Sequence, residues 1–551
     1  MKKILTVAIV LFAITGIALF GGGGTQSGSA QTTGGPVRLT LAVQEDLKIG
    51  DYKNTVQTRL IEQATNTDLE FIVLPSIDYG TRINLMVMSG GRELPDIITT
   101  NGSFGDSMIY QWAREGAILP LKKYYDDPVI SANIRSAQTR ANYNFLPEIT
   151  SPDGEIYGIP WLLQFEGNEV PGKFWYYKPW VDKLNLSLPT NTEEFRTFLR
   201  AIVTQDPNGN GIADEIGFGG VLQNLTGAGG VNFWFNYLMN PFVYVGEGLL
   251  NIENGKLSVP YNTEGWKTGL KYIRSLIEEG LIPVENLTQD SNQLIALANS
   301  NPLRVFSYVT YSGNLPTNTE IRDQTFIMPP LKGVNGTQYS TIIPAVAQIY
   351  FLITSNCKNP EAAFRVGDIM MREDISITNR FGERGVQWDY VQDIPNAASR
   401  FAQYLEGWTP KIITYDDVTY WSTPNVVSNA GWNQRGSGFL AYDIVHGRFL
   451  PQETMTEGYQ TNLSSAISMY TKAAFGPKEV LGKLIYTDDE ILVIGDIRST
   501  LNSYVLEMTS NFLAGNRNID ASWDSYITEL NNIGLTRMLS TMQIAYDRMH
   551  K

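Results

Sequence analysis

The chain has 551 residues, a formal net charge of −14 and one cysteine, Cys357. The acidic balance and the absence of a Lys/Arg cluster argue against a protein that neutralises a phosphate backbone, so nucleic acid is not an expected partner. One cysteine excludes an intramolecular disulfide, so stability must come from a large core and from any metal that binds.

The first 20 residues have the pattern of a secretory signal peptide. Lys2 and Lys3 precede an uncharged, mostly apolar run, Ile4–Phe20. Thr and Gly dilute this run, whereas a spanning helix needs about 20 predominantly apolar residues, so an uncleaved anchor is the weaker interpretation. Small residues suit signal peptidase at two places, Gly16 with Ala18 or Gly28 with Ala30.

Residues 21–36 are rich in Gly, Ser, Thr and Gln and are predicted to form a flexible linker. A lipid-anchored bacterial export signal ends in a cysteine, but the chain reads ALFGGGGTQ from Ala18. The only thiol, Cys357, lies far away and is predicted to be buried and inert. We therefore expect an exported protein, periplasmic or extracellular, without a lipid anchor.

From residue 37 onward, strands alternate with helices. The predicted strands are Val37–Val43, Leu69–Leu74 and Leu94–Ile98, and the predicted helices are Asn54–Ala64 and Tyr79–Met88. This alternation indicates a parallel sheet, in which ligands bind beyond the carboxyl ends of the strands. Asn101 and Ser103 directly follow the third strand, so both are candidate ligand-binding residues.

The rest of the chain is predicted to be mainly helical. Thr190 and Glu193 have the spacing of a capping box before an amphipathic helix. A second amphipathic helix is expected over Thr263–Glu279, with Trp266 on its apolar face. The carboxyl-terminal part carries further helical patterns: Ile491–Phe512, Trp523–Asn532 and Thr536–Met549.

The loop DPNGNGIADE, residues 206–215, has the spacing of a calcium site. Oxygen-bearing side chains stand at relative positions 1, 3, 5, 9 and 10, with glycine at position 6, and Ca²⁺ takes six to eight oxygen ligands. The expected ligands are Asp206, Asn208, Asn210, the carbonyl of Ile212, Asp214 and Glu215.

This loop corresponds to half of an EF-hand, because Gly217 stands where a bidentate Glu would be. The alternative is a polar turn that binds nothing, since Asn, Asp and Gly favour turns. If calcium binds, we expect a structural role, because the loop's own ligands leave no open position for a substrate.

Several segments in order resemble extracellular solute-binding proteins of family 1, in the subgroup that includes alginate-oligosaccharide-binding proteins and related lipoproteins. These segments include GGRELPDIITTN from Gly90, SPDGEIYGIPW from Ser151, DPNGNGIADEI from Asp206 and FLAGNRNIDASWDSYITELNNIGL from Phe512. The resemblance implies a two-lobe, type II periplasmic-binding-protein-like α/β fold. Each lobe would be a β-sheet flanked by helices, and the carboxyl-terminal part would be helical.

The resemblance also implies discontinuous lobes, a hinge and a monomer that delivers an oligosaccharide to ABC transporter permease subunits. Lobe 1 is expected over residues 37–157 and 335–385. Lobe 2 is expected over residues 158–334 and 386–551 and would carry the calcium loop, residues 206–215.

Sugar receptors stack aromatic rings on the sugar and use amides, carboxylates and Arg for its hydroxyls. The chain has 11 Trp, 28 Tyr and 23 Phe, many of them outside periodic segments. The candidate stacking residues are Trp161, Trp234, Trp388, Trp421 and Trp432. For each of these tryptophans the alternative is core packing, to which we assign Trp266 and Trp523.

The candidate polar partners are Asn101, Glu166 and Arg384, where Arg384 could equally form a structural ion pair. The negative net charge does not exclude an anionic sugar if Arg384 or Arg435 faces the cleft. The resulting hypothesis is an oligosaccharide-binding protein with structural Ca²⁺ and no catalytic residues.

Two other functions compete with sugar binding. An exported glycoside hydrolase or polysaccharide lyase would also pair an aromatic cleft with carboxylates. Against an enzyme, the chain has only two histidines, His446 and His550, and no histidine-based triad motif. A peptide or lipid binder on the same architecture is the third possibility, because fold does not fix the ligand.

Overall fold

The structure is a computed structural model and describes residues 35–89, 94–225, 233–333, 335–397, 411–414, 430–445 and 465–550. The predicted signal peptide 1–20, residues 21–34 of the predicted linker, and Trp421 lie outside the described residues. The chain divides after Pro36 into two units, and every contact discussed below lies within residues 37–551.

The described strands are β1 Val37–Gln44, β2 Thr67–Leu74, β3 Ile97–Thr99, β4 Ile159–Leu163, β5 Lys173–Tyr177, β6 Asn251–Glu253, β7 Lys256–Ser258, β8 Ser307–Thr310, β9 Thr325–Met328, β10 Gln348–Ile353, β11 Trp388–Tyr390, β12 Ile412–Thr414 and β13 Gly438–Leu440. The described α-helices are α1 Val56–Thr65, α2 Tyr79–Met88, α3 Asp106–Arg114, α4 Lys122–Asp126, α5 Ala132–Ala141, α6 Glu166–Glu169, α7 Lys178–Lys183, α8 Thr192–Thr204, α9 Phe233–Met239, α10 Glu264–Glu278, α11 Ser291–Ala298, α12 Thr319–Asp323, α13 Pro360–Met370, α14 Glu373–Phe381, α15 Tyr442–Val445, α16 Lys472–Phe475, α17 Asp488–Ala514, α18 Ile519–Ile533 and α19 Leu535–Met549.

A six-stranded sheet, ordered β13-β4-β10-β3-β1-β2, forms the centre of lobe 1. Strands β1 and β2 pair in parallel along their whole length, and β10 runs antiparallel to both β3 and β4. The connecting helix α1 begins at Thr55, whose hydroxyl accepts the N–H of Thr58, and ends at Asn66 with φ of 51°. The predicted strand–helix alternation of residues 37–99 is confirmed.

Lobe 2 is built on a three-stranded antiparallel sheet, β8-β5-β9. Its core contains Phe174 of β5, Phe195 of α8 and Trp266 of α10, all fully buried, and it extends into α17, α18 and α19. The predicted helical carboxyl-terminal part and the core positions of Trp266 and Trp523 are therefore confirmed.

The start of α8 differs from the predicted capping box. The side chain of Asn191 accepts the N–H groups of Glu193 and Glu194, so Asn191 is the N-cap. Thr190 instead donates its N–H and hydroxyl to the Glu194 carboxylate. The shift by one residue arises because the amide of Asn191 reaches the first-turn donors that Thr190 was expected to cap.

The sheet pairing moves two short segments relative to the expected lobe boundaries. Strand β4 lies within the range 158–334 and β13 within 386–551, both expected in lobe 2, yet both strands pair in the six-stranded sheet. The physical reason is that β4 hydrogen-bonds to β10 on one side and to β13 on the other, which places both β4 and β13 in this sheet. We retain the remaining boundaries as a proposal.

Cys357 is buried in the lobe 1 core, where desolvation raises the pKa of its thiol to about 12. The described part of the chain contains no helix with the length and apolar character needed to cross a membrane.

Candidate functional site

Two connecting segments place one edge of each sheet next to the other lobe. The carboxyl end of β4 leads through residues 164–172 into the amino end of β5, and the carboxyl end of β9 leads through residues 329–347 into the amino end of β10. The two segments are joined where the Ile343 N–H donates to the Glu169 carbonyl, 2.8 Å away. The carboxyl edge of the lobe 1 sheet therefore borders the connection between the lobes, where α/β proteins bind ligands.

Buried polar groups hold the first connecting segment in place. The Nζ of Lys173, fully buried, donates to the carbonyls of Gly167 at 2.8 Å and Val170 at 2.6 Å. Burial lowers the pKa of Lys173 to about 7. The Tyr442 hydroxyl donates to the Glu169 carboxylate, whose pKa desolvation raises. These bonds tie the end of lobe 1 to the start of lobe 2.

A group of side chains, which we call the edge cluster, meets at the carboxyl edge of the lobe 1 sheet. Gln44 is the last residue of β1, and its side-chain oxygen accepts the Asn101 amide, 2.8 Å away. Trp161 of β4 is 6% exposed and packs in an apolar cluster, and its ring stacks on the partly buried Tyr350 of β10 with centroids 6.4 Å apart. The edge cluster consists of Gln44, Asp46, Asn101, Trp161, Tyr350 and Arg435.

An ion pair between Asp46 and Arg435 forms the charged part of the edge cluster. The two groups are 3.0 Å apart, and their side chains are 10% and 13% exposed, respectively. The Arg435 Nε and the neighbouring Asn433 Oδ1 are buried without a hydrogen-bond partner among the described residues. A buried donor and a buried acceptor left unpaired cost free energy, which makes both candidate partners for a ligand hydroxyl.

Three of the ten non-glycine residues with positive φ in the described part of the chain lie at the same edge. Asn101 has φ of 46°, and Asn433 and Gln434 follow one another with φ of 48° and 64°. Left-handed conformations are uncommon for residues other than glycine and are often found at functional sites. Hydrogen bonds stabilise the conformation here: the Gln434 N–H donates to Asn379 Oδ1 at 2.8 Å, and Asn433 Nδ2 donates to Asp46 at 2.7 Å.

The structure brings together two of the residues that the sequence predicted, Asn101 and Trp161. Ser103 lies near them and is exposed at the same turn, while Glu166 is half-buried at the start of α6 in the connecting segment. Desolvation, and then the negative charge of Glu169, raise the pKa of Glu166. Sequence reasoning missed three members of the edge cluster: Gln44, Asp46 and Tyr350.

Three predicted stacking residues are fully buried and have no ring face open to a sugar. Trp234 lies in the lobe 2 core, where its Nε1 donates to the Val221 carbonyl at 3.0 Å. Trp388 packs in a smaller apolar cluster and donates to the Gly382 carbonyl at 2.8 Å. Trp432 lies in the lobe 1 core, so packing explains all three tryptophans.

Arg384 forms ion pairs rather than lining the edge cluster. Its Nε lies 3.2 Å from Asp389, and its Nη2 lies 2.5 Å from Asp393. The side chain is 48% exposed, and its guanidinium lies over the Tyr390 ring, 5.0 Å from the centroid. The structural ion pair, which the sequence left as the alternative, is the arrangement observed.

The expected calcium loop adopts a framework of Asx turns. Asp206 accepts the N–H groups of Gly209, Asn210 and Gly211 at 2.9 to 3.1 Å. Partial desolvation opposes these bonds, but together they lower the pKa of the Asp206 carboxyl. The Asn208 and Asn210 side chains accept the N–H groups of Asn210 and Ile212, respectively, at 2.9 and 2.7 Å.

The donor set of the loop suits a hard cation, although it is not gathered as a metal site. No group of three acidic, His or Cys side chains in the described residues is close enough to hold a metal. Instead, Asn208 and Asn210 each donate an amide N–H to Asp214 Oδ1 at 3.1 Å. The Glu215 Oε2 is buried without a hydrogen-bond partner, as expected of a carboxylate oxygen that a cation would satisfy.

The sequence is 26% identical over 507 residues to the fructooligosaccharide ABC transporter substrate-binding protein FusA of Streptococcus pneumoniae, covering 89% of this chain and 86% of that protein. The structure of an S. pneumoniae FusA EF-hand mutant in complex with fructo-nystose matches with a TM-score of 0.68 and 23% identity, over 93% of this chain and 99% of that one.

An HMO-binding, ABC-transporter-associated solute-binding protein from Bifidobacterium longum infantis matches with a TM-score of 0.73 and 19% identity, over 93% of this chain and 99% of that one. No model of a known protein family matches the chain. The comparisons confirm the two-lobe α/β fold and the resemblance to extracellular solute-binding proteins.

Proposed function

We propose that the chain is the substrate-binding component of an ABC importer and captures an oligosaccharide between its lobes. The observation that carries this proposal is the edge cluster beside the connecting segments. It combines stacked aromatic rings, amides and the unpaired Arg435 Nε, which is the mixed chemistry that sugar receptors use. The likeness to FusA supports an oligosaccharide as ligand and transporter permease subunits as partners.

Binding without catalysis suits the edge cluster better than hydrolysis does. Glycoside hydrolases place two carboxyl groups across the scissile bond. The edge cluster contains one carboxylate, Asp46, which Arg435 and Asn433 already engage. We therefore propose a monomeric receptor that releases its sugar unaltered.

The proposed location is outside the cytoplasmic membrane, with the protein free or loosely tethered, and the signal-peptide pattern of residues 1–20 supports it.

A ligand screen followed by product analysis tests the proposed function. Thermal shift with neutral and acidic tri- to pentasaccharides, fructo-nystose among them, should find at least one sugar that raises the midpoint. Chromatography after prolonged incubation should return that sugar intact. Cleavage products would assign the protein to the enzymes, and a panel without a single binder would contradict sugar capture.

We also propose that residues 206–215 bind a structural Ca²⁺ through Asp206, Asn208, Asn210, the Ile212 carbonyl, Asp214 and Glu215. Support comes from the oxygen-rich donor set, from the buried Glu215 Oε2 and from the EF-hand studied in FusA. When bound, the ion would fix the loop between α8 and the lobe 2 sheet, remote in sequence from the edge cluster.

Calcium should raise the unfolding midpoint, and a chelator should lower it. At a concentration about 100-fold above Kd, the ion would contribute roughly 2.7 kcal/mol to the free energy of unfolding. Glu215→Gln should abolish the calcium response, because it removes a charged ligand oxygen, whereas Glu285→Gln, at an exposed residue of the same lobe, should keep it. Midpoints unaffected by chelator and by calcium would leave the loop as a polar turn.

A further inference from the structure

A pocket lies in lobe 2, beside the connection between the lobes. It is a pocket of about 580 Å³, within the size range of small-ligand sites, about 300–1,000 Å³. Ile342 and Ile343 of the second connecting segment form part of its wall. Because Ile343 bonds to Glu169 of the first segment, the pocket adjoins the hinge.

The pocket presents an acid and a base that are not paired with each other. Glu247 and Arg498 both line it without a direct hydrogen bond or ion pair to another described residue, while burial raises the pKa of Glu247 and the nearby charge of Arg498 opposes that rise. Asn251 differs, because its amide is used internally: it accepts the Gly246 N–H at 3.0 Å and donates to the Tyr244 carbonyl at 2.8 Å. The free polar groups of this pair are therefore one carboxylate and one guanidinium.

The absence of a side chain at Gly248 leaves space for the Arg498 guanidinium. Gly248 has φ of 63°, and a Cβ built on it would lie 2.9 Å from Arg498 Nη2. Any other residue at position 248 would have a strained backbone, and its Cβ would displace the guanidinium. Glycine avoids both problems. Arg498 projects from the long helix α17, which gives it a fixed base.

Three tyrosines supply apolar surface around these charges: Tyr244, Tyr311 and Tyr486. Tyr311 directly follows β8 and packs edge-on against Phe233, with ring centroids 5.4 Å apart. The Ile342 N–H donates to the Tyr244 hydroxyl at 3.3 Å, and the Tyr244 ring packs against Tyr339. Two of the three rings are thus held by the lobe 2 framework and by the second connecting segment.

We propose that this pocket is a sugar subsite for a neutral pyranose or furanose unit. The proposal rests on the proposed function, since it assigns part of the same ligand to lobe 2. The Glu247 carboxylate accepts hydrogen bonds from sugar hydroxyls, Arg498 donates hydrogen bonds to their oxygens, and a tyrosine ring covers the C–H face of the sugar. A uronate is disfavoured because Glu247 would repel its carboxylate beside Arg498.

Calorimetric titration of single variants with the strongest-binding neutral sugar of the thermal-shift panel tests the subsite. Glu247→Gln and Arg498→Met should each weaken that sugar about tenfold or more, the loss expected for a hydrogen bond to a charged group. Glu253→Gln and Arg517→Met, exposed charges in the same lobe, are matched controls and should bind as the wild type does. An oligogalacturonide should gain affinity in Glu247→Gln, because the repelling charge is removed.

The outcomes separate the subsite from the wider function. Pocket variants that bind within twofold of the wild type, while Trp161→Ala binds more weakly, would overturn the subsite and leave sugar binding standing. A wild type that prefers the oligogalacturonide would overturn the neutral-sugar assignment. A panel in which no sugar binds would overturn the function and the subsite together.

Discussion

Arg435→Met is expected to lower the free energy of unfolding by about 3–5 kcal/mol and to weaken sugar binding at least tenfold. The stability loss follows because Asp46, 10% exposed, would keep its charge without its partner. The affinity loss follows because the unpaired Nε is the donor that we assign to the ligand. Denaturant unfolding and calorimetric titration measure the two effects.

The double variant Asp46→Asn with Arg435→Met separates these effects. With both charges removed, most of the stability should return, since no unpaired charge is left buried. Affinity should stay low, because the donor is still missing. Recovery of full affinity in the double variant would show that Arg435 acts only by stabilising lobe 1.

Trp432→Ala should destabilise the protein by about 3–5 kcal/mol, the usual loss for a large aromatic side chain removed from a core. The ring is fully buried, packs edge-on against Phe71 at 5.2 Å, and its Nε1 donates to the hydroxyls of Thr55 at 3.1 Å and Thr58 at 2.9 Å. Thermal and denaturant unfolding give the measurement.

Sugar affinity should be unchanged in the Trp432→Ala protein that remains folded, measured well below its midpoint. Trp432→Phe provides a milder control, keeping most of the volume and losing only the two hydrogen bonds. A normal midpoint with lost affinity would return Trp432 to the ligand site and refute its assignment to the core.

Local periodicity was enough to predict much of the fold. The alternation in residues 37–99 and the amphipathic pattern of Thr263–Glu279 each depend on neighbouring residues, so the sequence shows them directly. Strand β13, Gly438–Leu440, has only three residues and depends on β4 as its partner. A segment this short carries no periodic signal that could have corrected the lobe boundaries implied by the resemblance.

The candidate site was harder to predict, because its members come from distant segments. Asn101 was predicted because it directly follows a strand, whereas Asp46 and Arg435 meet only through the fold. The sequence does not show how deeply a tryptophan is buried: Trp432 is fully buried in the lobe 1 core, and Trp161, at the sheet edge, is 6% exposed and stacks on Tyr350. The pocket lined by Glu247 and Arg498 could not be predicted from the sequence either, because Arg498 lies on a carboxyl-terminal helix and meets Glu247 only in the folded protein.

The central claim is that a sugar binds between the lobes at the carboxyl edge of the lobe 1 sheet. Hydrogen-exchange mass spectrometry with and without a bound oligosaccharide tests it most directly. We predict slower exchange in residues 100–103, 164–172 and 433–437, with exchange in the helix Ile519–Ile533 unchanged. Protection confined to the carboxyl-terminal helices, with the sheet edge exchanging as in the free protein, would contradict the account.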